Sequence, residues 1–134
     1  QGSTRAPQWT HGGIALGPKP RSYRVTLNKR VKRVALFSAL SSKVANGEMI
    51  VVDNITMNEY KTKTIVGMLA NLGAAKKALI VLPEVNGFVI KSCDNIEGVK
   101  TTQWNTVNVY DILNCDTFII AKDAVNKIEE VYAR

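Results

Sequence analysis

Residues 49–83 read MIVVDNITMNEYKTKTIVGMLANLGAAKKALIVLP, and this stretch decides the fold. Met49-Ile50-Val51-Val52 is a short apolar run closed by Asp53-Asn54, the pattern of a strand buried on both faces. Ile65, Met68, Leu69 and Leu72 then recur at i, i+3, i+4 and i+7, on one face of a helix, and Gly73 follows where a left-handed cap is usual. Ala78-Leu79-Ile80-Val81-Leu82 is a second apolar strand, stopped by Pro83. Strands joined through a helix pair in parallel, because the crossover carries the chain back to the end of the sheet at which the first strand began.

The same alternation continues outward. Asn28 can cap a helix over 29–45 with apolar positions Val31, Val34, Ala35, Leu40 and Val44, ended by Asn46-Gly47. Residues 85–97 form an irregular connector with room for a short helix around Phe88 to Ser92. Val99 to Trp104 reads as a third strand, and Val107 to Leu113 as a short helix with Asn108 or Thr106 near its cap. Phe118 to Ala121 reads as a fourth strand, and Asp123 caps a final helix over 124–133. The expected class is α/β: a three-layer α/β/α sandwich around a four-stranded parallel sheet, linked by right-handed crossovers and preceded by an extended basic arm.

With 134 residues and 46% hydrophobic content, the chain holds one compact domain, expected over 28–134, and an appendage over 1–27. No apolar run approaches the roughly 18 residues of a membrane span, and residues 1–20 lack a signal-peptide pattern, so the expected setting is intracellular and soluble. The first residue is Gln1 and not Met, which suits a piece of a longer protein. Cys93 and Cys115 lie 22 apart beside a single histidine, His11, which argues against a zinc site or a disulfide framework and for reduced, partly buried thiols.

Charge is distributed unevenly. Arg5, Lys19, Arg21, Arg24, Lys29, Arg30, Lys32 and Arg33 occupy the first 33 residues, where no Asp or Glu occurs. The remaining ten Lys and Arg face all eleven carboxylates, so the leading segment carries about +8 and the rest about −1. Such asymmetry points to a polyanion. Gly2, Gly12, Gly13, Gly17, Pro7, Pro18 and Pro20 keep residues 1–27 from regular structure, so the segment reads as an arm, disordered when alone, with a reach of roughly 90 Å when stretched. Lys29, Arg30, Lys32 and Arg33 fill the first turns of the helix over 29–45, where the dipole disfavours cations unless phosphates approach. Trp9, His11 and Tyr23 lie among the arm's cations, an interleaving suited to stacking on unpaired RNA bases; the competing role for Trp9 and Tyr23 is to anchor the arm to its own domain.

Other chemistries find little support. Gly12 to Pro20 lacks the GK[ST] ending and the GxGxxG spacing of nucleotide loops, and close approach of backbone to a polyanion accounts better for its glycines. At the strand carboxyl ends, Asp53, Glu84, Asn105, Lys122 and Asp123 are scattered singles without a histidine base, and Ser38, Ser41 and Ser42 lie inside a helix. The alternative function is a soluble α/β ligand-binding or enzymatic domain with an incidental basic tail. A DNA regulator would need a groove-reading motif, and none is visible.

In combination, Gly17-Pro-Lys-Pro-Arg-Ser-Tyr23, Lys29-Arg-Val-Lys-Arg-Val-Ala-Leu36, Ser38-Ala-Leu-Ser41, Ile50-Val-Val-Asp53, Lys61-Thr-Lys63 and Asn108-Val-Tyr-Asp-Ile-Leu113 are specific. From Gly2 to Val131 the chain resembles the bacterial-type family of large-ribosomal-subunit protein four, departing from it at Thr10-His11 and Cys93-Asp94. The resemblance implies a non-enzymatic structural constituent of the large subunit, without cofactor, small-molecule substrate or membrane contact. Such a protein binds large-subunit ribosomal RNA early in assembly, beside neighbouring ribosomal proteins and in the cytoplasm. It implies a long loop reaching the peptide exit tunnel, whose tip, with roughly 70 residues upstream, is expected to be missing here. It also adds Lys61 and Lys63 to the expected RNA contacts.

Overall fold

The computed structural model describes residues 2–74 and 76–132. The expected helix end at 133, the domain limit at 134 and the first residue of the arm lie outside the described residues. The elements run α1 (Lys29–Ala45), β1 (Met49–Val52), α2 (Thr62–Asn71), β2 (Ala78–Leu82), α3 (Gly87–Cys93), β3 (Val99–Gln103), α4 (Val109–Asn114), β4 (Thr117–Ala121) and α5 (Lys122–Tyr132). The strands form one sheet in the order β1-β4-β2-β3, and every pairing is parallel. Ile50 lies opposite Ile119, Ile119 opposite Ile80, and Ile80 opposite Thr101, so one row crosses the whole sheet.

All five residues of both β2 and β4 are buried. Alternate side chains of a strand face opposite sides, so both faces of the central pair are covered and three layers result. The helices fall into two groups. α1 packs on α4, and an edge-on contact of Phe37 with Tyr132, centroids 6.1 Å apart, joins α1 to α5; α2 packs on α3.

Several expectations need correcting. β1 is not buried on both faces: it is an edge strand, and Val51 is 57% exposed because no described element covers it there. In α1 the buried residues are Leu36, Ala39 and Lys43, while Val31, Val34, Ala35 and Val44 are exposed. Both faces of that helix carry apolar residues, and the sheet takes the one that contains Leu36 and Ala39. The last short helix begins at Val109 and not at Val107; Asn108 is its cap, and the Thr106 hydroxyl instead meets Thr102 and Gln103. Asp123 lies in the first turn of α5 and not before it, since the helix starts directly after β4; there its charge still complements the helix dipole. Trp104 falls just beyond β3, and Thr117 joins β4. The irregular connector contains α3, which Asn86 caps by accepting bonds from the Phe88 and Val89 N–H groups.

Two polar tethers hold the α1–α4 layer. Lys43 is buried, and its Nζ donates to the Cys115 carbonyl at 2.5 Å and to Glu48 Oε2 at 2.6 Å, tying α1 to the approach to β4. Asp111 of α4 accepts from Lys100 of β3 at 2.7 Å on each oxygen and from Asn108 Nδ2 at 2.8 Å, while its N–H donates to Asn108 Oδ1. Gly98, before β3, has φ +83, and a Cβ there would lie 2.5 Å from the Lys76 carbonyl oxygen, so this crossing accepts only glycine. Both cysteines are free and buried; burial pushes the Cys93 thiol up to about 11, with Asp94 adding to the rise.

The Lys100 hydrogen bond holds the Asp111 carboxyl below its ordinary 3.8. A depressed folded-state pKa stabilises the fold above the unfolded value, and that contribution is lost as pH falls through the folded one. Asp111→Asn is therefore expected to lower the thermal midpoint at neutral pH, and to show a smaller further loss than the parent between about pH 4 and pH 2. Thermal melts across that range check both statements.

Candidate nucleic-acid interface

Residues 2–28 form neither helix nor strand. The start of this segment is not extended, however. Backbone N–H groups of Ala6, Trp9, Gly12 and Gly13 donate to the carbonyls of Ser3, Ala6, Trp9 and Arg5, which folds residues 3–13 into consecutive turns. Gly12 owes its identity to that turn, since a Cβ there would overlap the Ala6 carbonyl oxygen; the close approach it permits is to the chain's own backbone. His11 sits at φ +63, in the left-handed region that few residues other than glycine enter.

Arg5, Trp9, His11, Lys19, Arg21, Tyr23 and Arg24 are all exposed. Trp9 is 58% and Tyr23 76% exposed, so neither ring is buried as an anchor on the domain. The Arg21 guanidinium lies 4.4 Å from the centre of the Tyr23 ring, a cation–π pair that holds one aromatic face beside a charge. Among the described residues, no carboxylate lies within ion-pair distance of Arg5, Lys19, Arg21 or Arg24.

At the start of α1, Asn28 is extended and its side chain makes no capping bond, and the first turn contains no acidic residue. The first backbone N–H groups of the helix therefore lack the side-chain acceptor that usually satisfies them, and Lys29, Arg30, Lys32 and Arg33 are exposed around them. The four cations are not one patch. Lys29, Lys32 and Arg33 border a groove of about 680 Å³ floored by Leu27, Leu36, Val107, Val109 and Tyr132, and Arg30 does not. Anions and open helix donors suit one another, so this end of α1 can receive phosphate oxygens.

Lys61 and Lys63 stand apart, at the start of α2 in the α2–α3 group, both exposed, with Lys61 paired to Glu59. Beside them lies an arrangement that the sequence reading missed: the Tyr60 and Phe88 rings pack together, tilted by 45° with centroids 4.7 Å apart, and Lys91 Nζ is 6.0 Å from the Tyr60 ring centre. Tyr60 precedes Lys61 directly, which is the one local hint of it.

The strand carboxyl ends, where an enzyme would keep its groups, border a crevice of about 870 Å³. Glu84 and Asp123 line it; Asp53, Asn105 and Lys122 do not. Lys127 donates to the Pro83 carbonyl and pairs with Glu84 at 3.1 Å, which occupies that carboxylate. No group of three or more His, Cys, Asp or Glu able to hold a metal ion occurs among the described residues.

The profile of the family described as Ribosomal protein L4/L1 matches residues 1–131. The chain belongs to this family. The protein named large ribosomal subunit protein uL4 from Ruminiclostridium cellulolyticum is 56% identical over 133 residues, covering 99% of this chain. Those of Alkaliphilus oremlandii and Clostridium acetobutylicum are each 55% identical, over 98% and 99% of this chain. In all three cases the chain spans 64% of the relative's length. The four-stranded parallel sheet with five helices agrees with the family's expected fold.

Removing cations from the α1 start should not harm the fold. Lys29→Gln, Arg30→Gln and Lys32→Gln together are expected to leave helical circular dichroism unchanged and to raise stability slightly, by up to about 0.3–1 kcal/mol for each dipole conflict relieved. A marked loss of helicity would show that these residues serve the fold.

Proposed function

We propose that this chain is a non-catalytic, structural part of the large ribosomal subunit that binds its ribosomal RNA, working in the cytoplasm within the ribosome. One observation carries the reading: a run of exposed cations through residue 33 that contains no carboxylate along its own length and, from Arg5 to Lys32, pairs with none among the described residues. Like charges held this densely repel one another, and a phosphate backbone relieves that repulsion by releasing its counterions. The relatives' name, large ribosomal subunit protein uL4, supports the same destination.

In this reading residues 1–27 are the RNA-binding arm and 28–134 the domain that positions it. Arg5, Lys19, Arg24, Lys29, Arg30, Lys32, Arg33 and Lys63 meet phosphates, and Trp9, His11 and Tyr23, the last backed by Arg21, meet bases. The arm orders on RNA, supports early subunit assembly beside other ribosomal proteins, and belongs to a loop directed at the peptide exit tunnel. The alternative, a ligand-binding or enzymatic domain at the crevice, has Glu84 already paired and no histidine near it.

Filter binding of the chain to large-subunit ribosomal RNA at several salt concentrations tests the proposal. With about six of those eight cations on phosphates at one time, the log–log salt slope should lie near −4 to −5. Changing Arg5, Lys19 and Arg24 together to Gln should make the slope shallower by roughly 2 to 3. A slope near zero, or one unmoved by those changes, would refute the electrostatic account.

A further inference from the structure

We propose that Tyr60 and Phe88 form a second RNA contact, a stacking platform for an unpaired base on the α2–α3 layer, chemically separate from the arm and the α1 start. This rests on the RNA-binding reading above and gives it a second surface. The ring centroids are 4.7 Å apart with planes tilted by 45°, and the two residues are 61% and 38% exposed. Aromatic pairs that serve stability are normally sunk in a core; this one lies at the surface.

The backbone beneath both rings is fixed. The Lys61 N–H, next to Tyr60, donates at 3.1 Å to Ser92 Oγ, and Ser92 is 1% exposed. Phe88 stands in the first turn of α3, where its own N–H donates to Asn86 Oδ1 at 3.0 Å. A ligand stacking here therefore has little backbone entropy to remove, which makes an exposed ring a more effective contact.

The surrounding charges set the ligand's orientation. Lys91 lies 6.0 Å from the Tyr60 ring centre, Lys61 is paired only with exposed Glu59, and Lys63 is exposed with no ion pair among the described residues. An exposed pair such as Lys61–Glu59 is weak and exchanges readily for a phosphate. Phe88 also borders the crevice lined by Asn54, Asn58 and Asn126 together with Glu84, Asp123 and Glu130, where Lys127 is the one cation among the described residues and is paired to Glu84. Carboxylates repel phosphate, whereas asparagine amides donate to and accept from base edges. The sugar–phosphate backbone would thus follow the lysines, with the base over the rings and its edge toward the crevice. A duplex cannot offer a base face in this way, so the platform selects single strands or looped bases.

The test uses the 134-residue chain and fluorescence anisotropy with two probes: a labelled single-stranded RNA of about twelve nucleotides, within the span of one small binding site, and the same sequence as a duplex. Tyr60→Leu, which keeps apolar bulk but removes the π face, is expected to weaken single-strand binding by about 5- to 100-fold. It should leave duplex binding, the salt slope and circular dichroism unchanged, and Tyr60→Phe should bind like the parent. Phe88→Leu should reproduce the selective loss. By contrast, Lys29→Gln, Arg30→Gln and Lys32→Gln together should weaken both probes. If Tyr60→Leu binds the single strand as tightly as the parent, or loses both probes equally, the platform is refuted while the basic surface stands. If the parent binds neither probe, the RNA reading and the platform fall together.

Discussion

The central pair β4 and β2 imposes the constraint on which the molecule depends. Ten consecutive-run residues, from Thr117 to Ala121 and from Ala78 to Leu82, are buried, and two parallel strands buried on both faces require helices above and below. Little room is left for charge inside that sandwich. The buried charges that occur are tethered: Lys43 by Glu48 and the Cys115 carbonyl, Asp111 by Lys100 and Asn108. An unpaired buried charge would cost several kcal/mol, roughly half the net stability of a small domain. The eight cations before residue 34 consequently remain outside, on a segment that contributes no strand or helix until α1.

Much of this fold was legible in the sequence because its signals are local. Continuous apolar runs marked β2 and β4, and Gly47 and Gly73, at φ +69 and +63, stand where the helix ends were read. What failed was information that only tertiary contact supplies. Val51 looks as buried as Val81, and differs because β1 lies at the sheet edge. Val34 and Leu36 look equally suited to a core, and Lys43 looks unsuited; the helix nevertheless turns Leu36 and Lys43 inward, since the lysine finds a carboxylate and a carbonyl there. Asp123 had the chemistry of a cap, but no turn separates β4 from α5 for it to occupy.

The candidate interface divides in the same way. Absence of Asp and Glu over 33 residues is a property of composition and needs no structure to be seen, and every cation named from it is on the surface. Tyr60 and Phe88 are 28 positions apart, on either side of α2 and β2, and only the packing of α2 on α3 brings their rings together. The division of Lys29, Lys32 and Arg33 from Arg30 likewise follows from which side of α1 faces Val107, Val109 and Tyr132.

These two surfaces differ in physics as well as place. In the proposed reading, contacts from the arm and the α1 start draw on counterion release, which is long-ranged, indifferent to sequence and weakened by salt. Stacking on Tyr60 and Phe88 is short-ranged, nearly independent of salt, and demands a base free of its partner. A binder with only the first mode would settle on any phosphate backbone; one with only the second would capture any loose strand. Joined on one sheet, the two proposed surfaces would together favour a folded RNA that presents dense backbone to one layer and an unpaired base to the other at a fixed separation. Selectivity then arises from the geometry of the RNA, and the α/β core acts as the spacer that sets it.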